Sequence, residues 1–354
     1  MSDINVVLTI GLAEELVNRI RELDPRLNVT VLSSAQRQAY RGGHPIWFGY
    51  DERQDGASES PEEAKSSLEA ILGDTEVILS TYVIYPDLFS LAPRLRWVQL
   101  TSAGAENIID SDFLREGVTV TTASGIHAVP VGEFVLGIML AFAKGLHKAV
   151  RGQMEHEWLS YLPSELQGKT AGILGMGAIG SQIARYAKAF GMRVIATRRS
   201  AERPLAGEQS GFVDVDELVP PSQLNRILSA CDYLVIAVPL TAETRHMIGE
   251  AELRAMKPSA VLINISRGAV VDEKMLVRAL KEGWIAGAGL DVFEQEPLPK
   301  DSELWGMENV IVTPHVSGAT PLYVERLVEL FCDNLRRYLA GEPLRNVVDV
   351  KRGY

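Results

Sequence analysis

Three short polar segments each follow an apolar run that is typical of a buried β-strand. The segments span residues 264–268, 291–297 and 313–315, and they contain Arg267, Glu296 and His315. Ligands of parallel α/β sheets bind outside the carboxyl ends of the strands, which is where all three segments fall. Guanidinium groups bind carboxylates, and an imidazole paired with a carboxylate exchanges protons near neutral pH. The three segments are therefore predicted to meet at one ligand site that contains groups able to bind anions and to exchange protons.

A glycine-rich segment, Gly175-Met176-Gly177-Ala178-Ile179-Gly180, follows an apolar run and opens an amphipathic helical pattern. A G-x-G-x-x-G sequence is a weak signal alone, but this strand–turn–helix context makes it specific. Gly175 permits the tight turn, Gly177 lets a pyrophosphate approach the backbone, and Gly180 lets the helix pack on the sheet. The segment therefore predicts a dinucleotide site at a helix N-terminus. A glycine-rich turn that binds nothing is the less favoured alternative.

The end of the second strand distinguishes the two nicotinamide cofactors. NAD enzymes usually place Asp or Glu there to bind the ribose 2′-hydroxyl group. Here the strand ends in Thr197-Arg198-Arg199-Ser200, without a carboxylate. Guanidinium groups suit the geometry of a 2′-phosphate, so Arg198 and Arg199 predict NADP as the preferred cofactor and leave NAD as an alternative. Two solvated loop arginines are the competing interpretation.

Strand-like and helix-like patterns alternate along the chain, which predicts doubly wound α/β sheets. Continuous apolar runs such as residues 233–238 and 260–265 fit parallel strands buried on both faces. With 354 residues, two domains are expected. A long apolar helix is predicted over residues 130–150, and a last helix over 321–339 is inferred to return to the first domain, which makes that domain discontinuous. The polar residues 49–60 are predicted to form a surface loop.

A long stretch from Leu234 through Arg267-Gly268 to Asp291-Val292-Phe293, together with Pro314-His315, is much more specific than the glycine segment. Through these residues the chain resembles the D-isomer-specific 2-hydroxyacid dehydrogenases over most of its length. The resemblance implies two Rossmann-like domains with an active site in the cleft between them, and a homodimer. It places the substrate domain at residues 1–119 and 319–354 and the dinucleotide-binding domain at residues 120–318.

The same resemblance implies roles for individual residues in the reduction of a small 2-keto acid to a D-2-hydroxy acid. Arg267 would bind the substrate carboxylate and keto oxygen, and His315 would protonate that oxygen as hydride arrives. Glu296 would bond the other ring nitrogen, fix its tautomer and favour the protonated ring. Backbone N–H groups of Ala103 and Gly104 would bind the carboxylate as well.

Asp291 resembles the residue that holds the nicotinamide carboxamide. The resemblance and the glycine segment together predict a set of cofactor-binding residues: Gly175, Gly177, Ala178, Ile179, Gly180, Arg198, Arg199, Val238, Pro239, Thr244, Ile265, Ser266, Asp291 and Gly318.

Several alternatives remain open. Glu294, two residues before Glu296, competes as the partner of His315, although the spacing to Pro297 favours Glu296. A glutamate at this position argues against formate dehydrogenase activity, because formate dehydrogenases pair the histidine with glutamine. A dinucleotide-sensing binding protein of the corepressor type would carry the same Arg, Glu and His. A hydride donor such as phosphite is a further enzymatic alternative.

Composition narrows the class of protein. A net charge of −11 disfavours nucleic acid as a general partner. Two cysteines far apart in sequence form neither a disulfide framework nor a zinc pattern, so no metal site is expected. The N-terminal residues lack a basic segment followed by an apolar stretch of signal length, and no membrane span is expected. The predicted location is therefore the cytoplasm.

Overall fold

The computed structural model describes residues 3–41, 59–81, 85, 87–104, 117–198 and 214–349. The chain divides into two compact units, which are Met1–Ile126 with Thr320–Tyr354 (unit 1) and His127–Ala319 (unit 2). Both ends of the chain thus contribute to unit 1, and the predicted discontinuous arrangement is confirmed. The assignment of substrate to one unit and dinucleotide to the other stays a prediction.

The strands run in chain order as β1 Ile4–Leu8, β2 Leu27–Val31, β3 Val77–Ser80, β4 Trp97–Leu100, β5 Thr119–Thr121, β6 Thr170–Leu174, β7 Arg193–Thr197, β8 Glu217–Val219, β9 Tyr233–Ile236, β10 Val261–Asn264, β11 Gly287–Leu290 and β12 Val310–Val312. The helices are α1 Glu14–Arg21, α2 Ser34–Arg41, α3 Pro61–Gly73, α4 Leu88–Leu91, α5 Ala128–Lys144, α6 Leu146–Glu155, α7 Ala178–Ala189, α8 Leu224–Ala230, α9 Glu250–Ala255, α10 Glu273–Lys281 and α11 Tyr323–Ala340. Short 3-10 helices cover Pro221–Gln223, Gly268–Val270 and Glu303–Gly306.

Unit 1 contains a parallel sheet with strand order β2-β1-β3-β4-β5. Side chains alternate between the two faces of a strand, so each face builds its own core. Val6 and Leu8 of β1 face a cluster that includes residues of α1 and α11, whereas Val7 faces a cluster that includes residues of α3. Burial on both faces explains the consecutive apolar residues Val6, Val7 and Leu8 in this strand.

A buried polar network joins α11 to the sheet of unit 1. Trp97 Nε1 donates to Thr121 Oγ1 at 2.8 Å, and Thr121 Oγ1 donates to Gln99 Oε1 at 2.8 Å. Asn334 Nδ2 on α11 donates to the same Gln99 oxygen at 3.1 Å, and Asn334 Oδ1 accepts from the Arg345 N–H at 2.8 Å. Because an unsatisfied buried polar group is costly, these bonds fix how α11 lies on β4 and β5.

Unit 2 contains a parallel sheet with strand order β12-β11-β10-β9-β6-β7-β8. Leu234 and Ile236 of β9 face one core cluster, and Tyr233 and Val235 face the other. The strand order reverses between β6 and β9, the position at which doubly wound sheets bind ligands outside the strands' carboxyl ends. Two parallel α/β sheets confirm the predicted fold class.

The long apolar helix predicted over residues 130–150 is broken in the structure. Gly145, with a φ of 65°, ends α5 in the left-handed conformation that favours glycine, and α6 starts at the next residue. Among the described residues no single helix has the length and apolar character of a membrane span; α5 and α6 reach them only jointly, across a 66° bend.

Several elements of the structure were not predicted from the sequence, among them the helices α8, α9 and α10 of unit 2. The others include α2, α3 and the short strand β8. Helix α3 begins with a reciprocal cap, in which Ser60 accepts from the Glu63 N–H and Glu63 accepts from the Ser60 N–H. Most of the surface loop predicted over residues 49–60 lies outside the described residues.

Candidate active site

The glycine-rich turn lies between β6 and α7, at the carboxyl end of β6 in the sheet of unit 2. Gly175 has a φ of 102°, and a Cβ there would lie 2.7 Å from the Ala237 oxygen. A Cβ on Gly180 would overlap the Gly175 carbonyl oxygen, whereas a Cβ on Gly177 would meet nothing within 4 Å. The turn thus packs tightly on the sheet side and leaves open space in front of the N-terminus of α7. A pyrophosphate group fits that space and the N–H groups beside it.

The end of β7 anchors this turn through a residue that the sequence analysis missed. Thr197 Oγ1 accepts a hydrogen bond from the Gly175 N–H at 3.1 Å, and the Thr197 carbonyl accepts from the Met176 N–H at 3.1 Å. Arg198 follows, and its N–H donates to the Val219 oxygen at 3.2 Å. The predicted site residue Arg199 lies outside the described residues.

Two of the predicted cofactor-binding side chains form hydrogen bonds within their own loops. Thr244 Oγ1 donates to the Pro239 oxygen at 2.7 Å and accepts from the Thr241 N–H at 2.8 Å. The Ser266 hydroxyl donates to Asn264 Oδ1 at 3.1 Å. These bonds shape the loops that follow β9 and β10, and contact with a cofactor stays a prediction for both residues.

Arg267 precedes the 3-10 helix Gly268–Val270 at the carboxyl end of β10. Its Nη1 donates to the Ser266 oxygen at 2.8 Å, and its carbonyl accepts from Asn264 Nδ2 at 3.0 Å. A Cβ on Gly268 would overlap the Phe293 carbonyl group, so glycine allows the Arg267 turn to lie directly against the loop after β11. Arg267 is therefore held beside the segment that contains Glu296.

Glu296 and His315 are in direct contact. His315 Nδ1 lies 2.7 Å from Glu296 Oε2, and Glu296 Oε1 accepts from the Phe293 N–H at 3.0 Å. Burial alone would raise the pKa of Glu296, but the hydrogen bonds from His315 and Phe293 and the positive charges of His315 and Arg267 outweigh it and lower this pKa below its usual range. Glu296 is therefore an ionised carboxylate at neutral pH, in direct contact with the imidazole ring of His315.

His315 itself is held by Asp291, a fully buried residue at the end of β11. The Asp291 carboxylate accepts from the Thr313 hydroxyl at 2.7 Å, the Val316 N–H at 2.9 Å and the Ser317 N–H at 2.8 Å. Its carbonyl accepts from the His315 N–H at 2.9 Å. Such a set of bonds stabilises the left-handed backbone of His315, whose φ is 53°. Sequence analysis assigned Asp291 to the nicotinamide and missed this anchoring of the histidine turn.

Glu294, the alternative partner of His315, contacts a different histidine. Its Oε1 lies 2.8 Å from His246 Nε2.

Gly318, also predicted at the cofactor, lies against His127, and its carbonyl is 3.1 Å from His127 Nδ1. Among the residues that the structure describes, no cluster of His, Cys, Asp or Glu could hold a metal ion.

The predicted carboxylate-binding loop lies in unit 1, directly after β4. The Ser102 hydroxyl donates to the Gly104 oxygen at 2.7 Å, and the Ser102 oxygen accepts from the Ala123 N–H at 2.8 Å. The Tyr323 hydroxyl donates to the Thr101 oxygen. These bonds fix the conformation of the loop that contains Ala103 and Gly104.

Comparison with known proteins agrees with this geometry. Residues 136–317 match the profile described as "D-isomer specific 2-hydroxyacid dehydrogenase, NAD binding domain". The glyoxylate reductase of Korarchaeum cryptofilum is 40% identical over 298 residues, which cover 82% of this chain and 87% of that protein. A D-isomer specific 2-hydroxyacid dehydrogenase from Xanthobacter autotrophicus Py2, solved with NADPH and MES, has a TM-score of 0.76 and 28% identity and covers 100% of both chains.

A second solved structure extends the comparison to a named activity. The NADPH-dependent glyoxylate/hydroxypyruvate reductase of Sinorhizobium meliloti, in complex with NADP and sulfate, has a TM-score of 0.74 and 26% identity, covering 99% of this chain and 100% of that one. The sequence profile, the relatives that match over most of the chain and the architecture of two parallel sheets all indicate the same family. The chain therefore belongs to the D-isomer specific 2-hydroxyacid dehydrogenase family and is an NAD(P)-dependent oxidoreductase.

Proposed function

We propose that this enzyme reduces a small 2-keto acid, of the glyoxylate or hydroxypyruvate class, to the D-2-hydroxy acid, and catalyses the reverse oxidation. The contact of 2.7 Å between His315 Nδ1 and Glu296 Oε2, beside the Arg267 turn, is the observation that carries the proposal. A nicotinamide dinucleotide supplies the hydride when bound. Relatives named glyoxylate reductase support the substrate class.

His315 is proposed as the general acid. Since Nδ1 faces the Glu296 carboxylate, proton exchange with the substrate would use Nε2. The protonated ring would donate to the keto oxygen during reduction, and the neutral ring would accept the hydroxyl proton during oxidation. A positioned acid of this kind contributes about 100- to 10,000-fold to the rate.

Arg267 is proposed as the anchor of the substrate. A guanidinium group can form two parallel hydrogen bonds to a carboxylate, and it also stabilises negative charge on the keto oxygen. The backbone N–H groups of Ala103 and Gly104 are proposed to bind the same carboxylate, in a loop that the Ser102 and Tyr323 hydrogen bonds hold in one conformation.

We also propose that NADP is preferred over NAD. Arg198 follows β7 where NAD enzymes usually carry a carboxylate, and Arg199 comes next in the sequence. The solved relatives from Xanthobacter autotrophicus and Sinorhizobium meliloti contain NADPH and NADP, respectively, which supports this preference.

The homodimer that the family resemblance implies would cover an apolar segment of unit 2. Met154 at the end of α6, and Trp158 and Leu162 in the segment after it, are 78%, 97% and 96% exposed. Large apolar side chains with this degree of exposure, close together in sequence, support an interaction site in this segment. Light scattering should give twice the chain mass for the wild type and a lower mass for Trp158→Ser with Leu162→Ser; an unchanged mass would place the interface elsewhere.

A steady-state screen tests the proposed function. Glyoxylate, hydroxypyruvate, pyruvate and bulkier 2-keto acids are assayed with NADPH and with NADH, and chiral analysis identifies the product. We expect turnover of the small acids, a D-product where the product is chiral, and the higher kcat/KM with NADPH. A protein that binds NADPH but turns over none of these acids would instead support the dinucleotide-sensing alternative.

A further inference from the structure

A second histidine–carboxylate pair lies beside the first one in unit 2. His246 Nε2 lies 2.8 Å from Glu294 Oε1, and these two residues are absent from the proposed chemistry. They belong to different loops, since His246 follows β9 and Glu294 follows β11. The contact thus joins two of the loops that build the candidate active site.

Glu294 connects the loop after β11 to the start of α10. Its N–H donates to Glu273 Oε2 at 3.1 Å, and its Oε1 accepts from the Glu273 N–H at 3.4 Å. Glu273 is the first residue of α10. Two reciprocal bonds therefore fix the backbone two residues before Glu296.

His246 connects the loop after β9 to the turn that contains Arg267. Its N–H donates to the Ala269 oxygen at 2.8 Å, and Ala269 lies in the 3-10 helix that follows Arg267. The φ of His246 is 51°, a left-handed conformation that histidine adopts more readily than most residues. With its backbone bound to one turn and its side chain to the other, His246 spans both.

The two turns also touch directly. A Cβ on Gly268 would overlap the Phe293 carbonyl, and the Phe293 N–H donates to Glu296 Oε1. A displacement of Glu294 would therefore be transmitted to the Arg267 turn through Gly268 and to Glu296 through Phe293. We propose that His246 and Glu294 form a bracket that positions Arg267 and Glu296 for catalysis, an inference that rests on the proposed function.

The exposure of His246 and Glu294 shows whether this contact mainly positions the catalytic residues or mainly stabilises the fold. The side chains of His246 and Glu294 are 45% and 37% exposed, and exposed ion pairs contribute little to the free energy of unfolding. Catalysis is more sensitive to position, since a displacement of about 1 Å can reduce the rate about 100-fold. The bracket should therefore affect kcat much more than Tm.

The experiment compares Glu294→Ala and His246→Ala, separately and combined, with the wild-type enzyme. We expect kcat for keto-acid reduction to fall by about 10- to 100-fold in each single variant, and the combined variant to lose little more because both remove one contact. Tm and KM for NADPH should be unchanged in Glu294→Ala. Glu294→Gln keeps an acceptor oxygen and should restore most of kcat.

The matched control is Glu282→Ala, which removes an exposed ion pair with Arg278 at the other end of α10 and should leave kcat at the wild-type value. Wild-type kcat in Glu294→Ala, or losses that multiply in the combined variant, would overturn the bracket. His315→Asn in the same assay separates two failures. If it is fully active, the proposed function fails and the bracket with it; if it is inactive beside a fully active Glu294→Ala, only the bracket fails.

Discussion

Replacement of Glu296 by glutamine removes one negative charge next to His315 and keeps the shape of the side chain. Because its pKa is lowered below the usual range, the Glu296 carboxylate is ionised at neutral pH. Glutamine still offers an oxygen to His315 Nδ1, which lies 2.7 Å from Glu296 Oε2. The variant therefore tests the charge with little change in the orientation of the ring.

The size of the expected shift in the pH limit follows from the contact between His315 and Glu296. A hydrogen bond to a charged group contributes about 1.5–3 kcal/mol. His315 and Glu296 are 30% and 23% exposed, so solvent screens part of the interaction and the lower end applies. Glutamine keeps one hydrogen bond to the ring, so only the part that depends on the charge is lost. Since about 1.4 kcal/mol corresponds to one pH unit, the pH limit of the reaction should move by at most about one unit.

The direction of this shift depends on which protonation state of His315 is needed for reduction and which for oxidation. Reduction needs the protonated ring, which the Glu296 carboxylate stabilises, so without the charge reduction should be lost at a lower pH than in the wild type. Oxidation needs the neutral ring, so its acid limit should move to lower pH as well. Profiles of kcat against pH in both directions, for wild type and Glu296→Gln, measure the two limits. If both limits stay in place, or move upward, Glu296 does not act on His315 as proposed.

Four further predictions follow from the site. His315→Asn should lower kcat for reduction by about 100- to 10,000-fold with NADPH binding preserved in a fluorescence titration; near-wild-type turnover would remove His315 from the mechanism. Arg267→Lys keeps the charge but loses the planar donor pair, so steady-state kinetics should show a higher KM for the keto acid and a lower kcat together, and a change in Tm alone would make Arg267 structural. Replacement of Arg198 and Arg199 by alanine should lower kcat/KM for NADPH and leave that for NADH nearly unchanged, and an equal loss with both cofactors would contradict a 2′-phosphate site. Gly268→Ala would force the two catalytic turns apart and should destabilise the protein by about 3 kcal/mol in urea unfolding, whereas wild-type stability would mean that the turns separate easily.

Patterns within short stretches of sequence identified most of unit 2. Continuous apolar runs marked the buried parallel strands, and the glycine spacing marked the β6–α7 turn, because both depend on neighbouring residues. Arg267, Glu296 and His315 could be selected because each follows a strand in a recognisable motif. The break at Gly145 was missed, since an apolar helix with an internal glycine and one that ends there have the same pattern.

Contacts between distant residues could not be obtained in this way. Asp291 is separated from Ser317, and His246 from Glu294, by long stretches of chain, and their hydrogen bonds depend on how the loops after different strands meet. In the sequence Thr197 is indistinguishable from an ordinary strand residue, but in the structure its hydroxyl oxygen accepts a hydrogen bond from the Gly175 N–H. The sequence likewise left Glu294 and Glu296 as alternatives, because the fold of the turn decides which carboxylate contacts His315.

The discontinuity of unit 1 has a consequence for synthesis on the ribosome. Leu327 and Phe331 of α11 belong to the core that buries Val6 and Leu8 of the first strand, so this core lacks a helix until translation has passed α11, Tyr323–Ala340. Unit 2 is continuous and has all its strands before α11 is made. Domains fold as units during translation, usually from the N-terminus. Here the order should be reversed, and the exposed apolar face of the first sheet would be a binding site for chaperones while the ribosome completes the chain.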